Sequence, residues 1–419
     1  MTSKQNHRAN PGDGRRRTIG LVVPSFEDTG GVPTVAEFIL RAISRRPDYQ
    51  ARVISLATSA SDDCSLLIAR PSTWGRGVVT RSGLCHGHGF VHVGANLGEL
   101  EFQRLRPRAP LARLLRGCDL IQVVAGAPSW ALPVVGLGPP VLLQAATLTA
   151  VERRSRARAN RGPKALWRRG MTQITARLDE QALRQVDAVM VENPWMEAHA
   201  RAANVGRPTR VIYAPPGVDM ALFHPAAERS DGRPYILAVG RFSDVRKNPL
   251  LLLEAYRRVV ARREDAPDLR LAGFDGPPEV FWEGAREAGL ADRIRFESRP
   301  DGPRLAELYR NAACLAVPSD EEGFGIVVIE AMASATPVVS TRSGGPDGII
   351  TDGVDGYLVE IGDADALADR LCRLIADPAH ARSIGLAGLE TVRRRYADEV
   401  AGEVYVNAYD SLLEQVRPA

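Results

Sequence analysis

Lysine is almost missing from this chain: of 54 basic residues only Lys4, Lys164 and Lys247 are lysines. Where arginine is so strongly preferred, a lysine inside a motif stands out as a compact point charge chosen over a planar fork. Cysteine is also sparse. Cys64, Cys85, Cys118, Cys314 and Cys372 are odd in number and share no motif spacing, which argues against a disulfide scaffold and suits a reducing compartment. The charge excess is only +4 over 419 residues, too little to point to nucleic acid. Residues 1–17 hold no apolar segment, so no signal peptide is evident and a disordered tail is expected. The run from Leu120 to Val151 lacks charge, yet Pro128, Pro133, Pro139 and Pro140 interrupt it. Two buried strands and a loop explain it better than a membrane span. The turn Glu27-Asp28-Thr29-Gly30-Gly31-Val32-Pro33 lacks G-x-G-x-x-G, which removes a dinucleotide-dependent dehydrogenase.

What is present is an ordinary globular composition, 45% hydrophobic and 25% charged. Apolar runs alternate with helical patterns, so the fold class is α/β, two doubly wound Rossmann-like domains facing a cleft. Strands are expected at Thr18–Val23, Ala51–Leu56, Phe90–Val93, Leu120–Val124, Val141–Leu143, Ala188–Val191 and Arg210–Tyr213. Residues from Thr58 to Gly89 read as an irregular excursion. The pattern breaks at Ala214-Pro215-Pro216-Gly217, and a fresh strand opens at Tyr235–Val239. Further strands follow at Leu269–Leu271, Ile294–Glu297, Ala313–Val317, Pro337–Ser340 and Tyr357–Val359. The expected division is a tail at 1–17, a first domain at 18–222, a second at 223–395, and a last helix at 396–419 returning to the first domain.

The densest chemistry lies in the second half. Gly240-Arg241-Phe242-Ser243-Asp244-Val245-Arg246-Lys247-Asn248-Pro249 follows a strand, with Asn248 as helix cap and Pro249 as first helical residue. Arg241 and Lys247 therefore stand at the carboxyl edge of a parallel sheet, where ligands bind, and two cations there suit a diphosphate. The alternative is a pair of surface charges beside a strand end. Next, Pro318-Ser319-Asp320-Glu321-Glu322-Gly323-Phe324-Gly325 turns into an apolar helix from Ile326. Free amides at that helix start suit a phosphate. Glu330, inside an apolar run, needs hydroxyl donors such as a ribose, or else a neighbouring arginine. Glu322, just before the turn, is placed to accept hydrogen bonds from sugar hydroxyls. Gly344-Gly345 supplies a further close-approach loop.

These residues resemble the retaining glycosyltransferases of family four, GT-B fold, through the E-x7-E pair Glu322 and Glu330. Gly240-Arg241-Phe242 with Lys247-Asn248, the Gly344-Gly345 loop with Asp352-Gly353 and Gly356, and Pro216-Gly217-Val218-Asp219 with Phe223 match in order and spacing. Gly30-Gly31 looks like the loop near the donor phosphates. The resemblance spans about residues 18 to 419 and is densest from Tyr235 to Glu360. It implies that a hexose passes from a UDP- or GDP-sugar to an acceptor hydroxyl with no metal and no cofactor beyond that co-substrate. Arg241 and Lys247 would hold the diphosphate with amides of Gly31, Gly325 and Ile326, alongside Phe324. Glu330 would hold the ribose and Glu322 the sugar. Base contacts would fall near Ser298 to Asp301. The acceptor would be a small molecule, a glycan or a lipid-linked glycan, and the setting the cytoplasm or the inner face of its membrane.

The sequence departs from its relatives at two places. Many carry a histidine near the reacting sugar where this chain has Gln144, and a fourth-strand histidine where it has Gln122. Gln144 is thus the acceptor-side candidate, able to hydrogen-bond but not to titrate. A catalytically inactive sugar-nucleotide-binding paralogue is the alternative from another class. Cys85, His86, His88 and His92 gather metal-ligand types but complete no paired spacing, so no metal site is expected. Arg153, Arg154, Arg156, Arg158, Arg161, Lys164, Arg168 and Arg169 crowd a stretch with one acid, Glu152. A solvated loop and a contact with an anionic membrane surface or a phosphorylated acceptor both fit that stretch.

Overall fold

The computed structural model describes residues 15–28, 30–154, 163–226 and 233–415. Most of the expected tail and the middle of the arginine-rich stretch, residues 155–162, lie outside the described residues.

The first sheet contains β1 (Arg17–Pro24), β2 (Tyr49–Leu56), β3 (Thr80–Cys85), β4 (His88–Val93), β5 (Leu120–Ala125), β6 (Val141–Ala145), β7 (Ala188–Val191) and β8 (Arg210–Tyr213). Its order is β3-β4-β2-β1-β5-β6-β7-β8, parallel except where β3 and β4 form a hairpin. That hairpin corrects the expectation of irregular chain up to Gly89: two short, half-exposed strands at a sheet edge carry little apolar periodicity. The second sheet contains β9 (Tyr235–Val239), β10 (Asp268–Gly273), β11 (Ile294–Ser298), β12 (Cys314–Val317), β13 (Val338–Thr341) and β14 (Tyr357–Val359). It runs β11-β10-β9-β12-β13-β14, all parallel. The central strands of both sheets are buried on both faces, as their continuous apolar runs require.

Six helices position the cleft: α1 (Gly31–Ser44), α2 (Pro194–Ala203), α3 (Pro249–Arg262), α4 (Gly302–Asn311), α5 (Ile326–Ala333) and α6 (Asp398–Gln415). The chain crosses between domains twice, and the crossings pair: Val218 N donates to Tyr396 O at 2.8 Å and Asp398 N to Val218 O at 3.1 Å. Gly217 has no room for a side chain, since a Cβ would lie 2.9 Å from Asp398 Cα. α6 then packs on α1, with the rings of Phe38 and Tyr405 edge to face at 5.1 Å. Arg41 Nε donates to buried Asp398 at 2.6 Å, and Tyr49 to Asp410 at 2.6 Å.

Candidate active site

At the carboxyl end of β9 the backbone is fixed before any ligand arrives. Gly273 holds a left-handed backbone, and a Cβ there would fall 1.9 Å from Gly240 O, so β10 and β9 close tightly beneath the loop. Asp244 accepts from Arg246 N, and Asn248, at φ 44°, accepts from Leu251 N at 3.1 Å to start α3. Asn248 Nδ2 also donates to Asp320 at 2.8 Å, which ties this loop to the next. On this frame Lys247 Nζ donates to both oxygens of Glu322, at 2.7 and 2.8 Å, and Ser319 Oγ donates to Glu322 at 2.6 Å. Arg241 stands free of so close a partner; its side chain is 46% exposed and 3.9 Å from Asp244.

The turn before α5 brings the other predicted residues together. Gly325 caps α5 at φ 98°, a conformation that side chains other than glycine's rarely adopt. Gly345 lies so close to Phe324 that a Cβ would fall 2.1 Å from the Phe324 carbonyl oxygen. Phe324 is therefore a buried spacer, its ring 5.8 Å from that of Tyr396. Glu330 is buried and accepts from Tyr309 Oη at 2.8 Å, so its partner is a hydroxyl and not an arginine. Burial raises its pKa from 4.5 to about 7, against the opposing pull of the Tyr309 hydrogen bond.

Across the cleft the first domain presents the start of α1. Gly30, at φ 130°, would place a Cβ 3.9 Å from Nε and Cζ of Arg241; one on Gly31 would lie 3.9 Å from Ile326 Cδ1. The amino ends of α1 and α5 thus meet beside Arg241, each with unsatisfied amides and a positive dipole end. Such a junction can hold an extended anion between two domains.

Gln144 is not part of that junction, and its expected place beside the reacting sugar is corrected. Its side chain is fully buried and donates to Glu192 at 2.9 Å and to Ala214 O at 3.2 Å. Tyr405 of α6 donates to the same carbonyl, and Tyr409 donates to Gln122. Both glutamines lie in strand interiors on the face covered by α6. The end of β6 instead turns Ala146 and Thr147 to the cleft: Ala146 abuts Gly323, and Thr147 Oγ1 donates to Glu321 at 3.0 Å.

Several residues were missed. Arg246 bridges domains, 2.7 Å from Asp244, 3.1 Å from Glu321 and 3.5 Å from Glu152. Asn193 caps α2 and reaches over to Gly323 O. Its Asn-Pro signature repeats that of Asn248-Pro249 and was legible as a helix start; its reach across the cleft was not. The histidine-rich hairpin is dispersed, with Cys85 and His88 paired on opposite strands and His86 2.9 Å from Glu37. His92 lies with Asp62 and Cys64, their ligating atoms within 4.8 Å, and its Nε2 is 2.8 Å from Asp62 Oδ2. In the basic stretch Arg153 pairs with Glu101, and Arg168 and Arg169 are exposed. Among the described residues no helix is long and apolar enough to cross a membrane.

Residues 220–390 match the family model described as glycosyl transferases group 1. A D-inositol 3-phosphate glycosyltransferase of Kribbella flavida is 35% identical over 253 residues, covering 56% of this chain and 59% of the relative. One from Nocardia farcinica is 32% identical over 297 residues, 67% of this chain and 61% of the relative. The chain thus spans about three fifths of the length of these relatives. Among solved structures, sucrose-phosphate synthase from Thermosynechococcus elongatus superposes with a TM-score of 0.72 at 24% identity, covering 96% of this chain and all of that one. Anabaena HepE, solved with UDP and glucose, gives 0.69 at 17% identity, covering 94% and 100%. The two facing sheets are the GT-B fold.

Proposed function

We propose that this GT-B chain is a retaining, metal-independent hexosyltransferase that moves a sugar from a UDP- or GDP-sugar to an acceptor hydroxyl. The observation that carries the reading is the meeting of two helix starts, α1 and α5, beside Arg241 across one cleft. The match of residues 220–390 supports it, as do the names of the relatives and the UDP and glucose held by Anabaena HepE.

The diphosphate would lie between the amides of Gly31, Gly325 and Ile326, with Arg241 and Lys247 balancing its charge. Lys247 already shares Glu322 with Ser319, which fixes the carboxylate where sugar hydroxyls would meet it. Glu330, with Tyr309 behind it, would take the ribose. In the reaction the bond from C1 to the diphosphate oxygen breaks and the bond from the acceptor oxygen to C1 forms on the same face. The acceptor proton passes to the departing diphosphate. Arg241 and Lys247 stabilise the negative charge that grows there, so a metal ion has no task left. The acceptor is a hydroxyl of a small molecule, glycan or lipid-linked glycan, met in the cytoplasm; the stretch Arg153–Arg169 offers contact with a phosphorylated acceptor or an anionic membrane face.

A panel of sugar nucleotides, with D-inositol 3-phosphate among the acceptors, tests this by thermal shift and then by transfer in EDTA. Proton NMR of the first product from an α-linked gluco-type donor should show the small coupling of an α anomer. A β product would overturn retention, and activity restored only by manganese or magnesium would overturn metal independence. Binding without transfer or donor hydrolysis would leave a sugar-nucleotide-binding protein.

A further inference from the structure

The start of α2 does more in this fold than begin a helix. Asn193 is fully buried and its side chain faces three ways: Oδ1 accepts from Met196 N at 2.8 Å, while Nδ2 donates to Ala146 O at 2.8 Å and to Gly323 O at 2.5 Å. The first bond caps the helix, the second holds the end of β6, and the third crosses to the other domain. The next two residues cross as well. A Cβ on Gly348 would lie 2.8 Å from Pro194 Cδ, and one on Gly344 would lie 3.1 Å from Trp195 Nε1. A Cβ on Gly323 would lie 2.9 Å from that of Ala146. Gly348 and Gly344 of the second domain thus make room for Pro194 and Trp195, and Gly323 makes room for Ala146 beside them.

Gly323 and Gly344 belong to the two loops that carry the candidate donor site, and Gly348 lies in the short helix Gly345–Ile349 that follows them. Gly323 follows Glu322 directly. Gly344 pairs with Glu322 in a β-bridge, with Glu322 N donating to Ser343 O at 2.8 Å and Gly345 N to Glu322 O at 2.9 Å. Any shift of Asn193, Pro194 or Trp195 therefore moves the backbone that holds Glu322, and with it the partner of Lys247.

We infer that Asn193-Pro194-Trp195 is a positioning wedge by which the acceptor-side domain sets the sugar-reading loop of the donor domain. Resting on the proposed transferase reading, it assigns none of the three to the chemistry. They act through Glu322 and through the closeness of the two domains. Nucleotide contacts, placed mainly on the second domain, are expected to be indifferent to it, while the sugar and the closed cleft are not.

The test separates capping from wedging. Asn193→Ser keeps a side-chain cap for α2 but is too short to reach Gly323 O. It should bind UDP or GDP within about threefold of the wild type by calorimetry, keep its melting temperature within a few degrees, and lose about tenfold or more in kcat. Gly348→Ala attacks the contact from the other side, at a backbone conformation that alanine adopts freely, and should show the same split. Pro194→Ala removes the ring atoms that alanine would strike, so the double variant Gly348→Ala/Pro194→Ala should recover most of the lost kcat. Equal kcat in all variants, or a parallel fall in kcat, nucleotide affinity and melting temperature without rescue, would overturn the wedge. Small-angle scattering without substrate reads the same contact on its own. Gly348→Ala should be more open than wild type and the double variant should close again; no change would count against the wedge even if the wild type proved to have no transferase activity.

Discussion

Glu192 and Glu330 are near twins in environment and opposites in placement. Each is a buried carboxylate, one per domain, with a single neutral hydrogen-bond partner, Gln144 or Tyr309, and burial raises each from 4.5 to about 7. Glu330 sits one turn into α5, whose amino end opens on the cleft beside Arg241. Glu192 sits at the end of β7 beneath Gln144 and the Ala214 carbonyl, sealed by Tyr405 of α6. A perturbed carboxylate therefore does not by itself mark a site in this fold. What distinguishes the two is the next layer: a helix start opening on the cleft over one, a packed helix over the other.

The largest expected effect falls on the layer over Glu330. Arg241→Ala and Lys247→Ala should each lower transfer by about a hundredfold or more, near 3 kcal/mol of transition-state stabilisation, with folding intact. The two should differ in kind. Arg241 is half exposed and its removal takes from the protein a 3.9 Å approach to Asp244, whereas removing Lys247 strips buried Glu322 of its counter-charge and leaves it Ser319 alone. Lys247→Ala should consequently also weaken discrimination between donor sugars. Near-normal turnover in both variants, measured with the best donor, would remove the cleft junction as the reaction centre.

The same contrast explains what the sequence showed and hid. In the second domain the predicted residues either follow a strand and precede a helix, as Arg241 does after β9, Glu322 after β12 and Gly344 after β13, or lie in the first turns of the helix that follows, as Ile326 and Glu330 do, so order along the chain places them at the sheet edge. Local spacing was enough. In the first domain Gln122 and Gln144 lie inside strands buried on both faces, where Leu120 and Ile121, or Leu142 and Leu143, are alike apolar. With no polar face there is no period of two to say which way a side chain points, and a shift of one residue reverses it. Only the return of α6, hundreds of residues later in the chain, decides that Gln144 faces Tyr405 and not the cleft. Asn193 was hidden for a related reason: a cap is local, but the glycines that receive the wedge lie in another domain.

A middle-sized effect compares the twins directly through pH. Between pH 4.5 and about 7 the folded chain keeps protons on Glu192 and Glu330 that the unfolded chain has released, so stability falls as pH rises through that window and is level above it. Glu192→Gln and Glu330→Gln each remove one share of this slope. Each variant should gain about 3 kcal/mol over wild type at pH 8 and nothing near pH 4.5, read from urea unfolding. Their donor affinities should diverge: Glu330→Gln should weaken nucleotide binding about tenfold, and Glu192→Gln should leave it unchanged. Equal affinity in both would erase the distinction between the site and its buried counterpart.

The smallest effect is also the sharpest on Gln144. As an acceptor-side group it would lose much transfer on substitution; as a buried partner of Glu192 it should lose almost none. Gln144→Met keeps volume and removes both donated bonds. The Ala214 carbonyl retains Tyr405 as donor, so the strand end should not move. Glu192 loses its one polar partner, and that bond now holds its pKa down against burial. The carboxyl should therefore titrate higher than about 7 in the variant, and the melting temperature should drop more at pH 8 than at pH 6. Transfer at pH 6, where Glu192 is mostly protonated in both proteins, should stay within about threefold of wild type, under 1 kcal/mol. A tenfold loss of kcat at unchanged melting temperature would return Gln144 to the reaction and require the first sheet to present its other face to the acceptor.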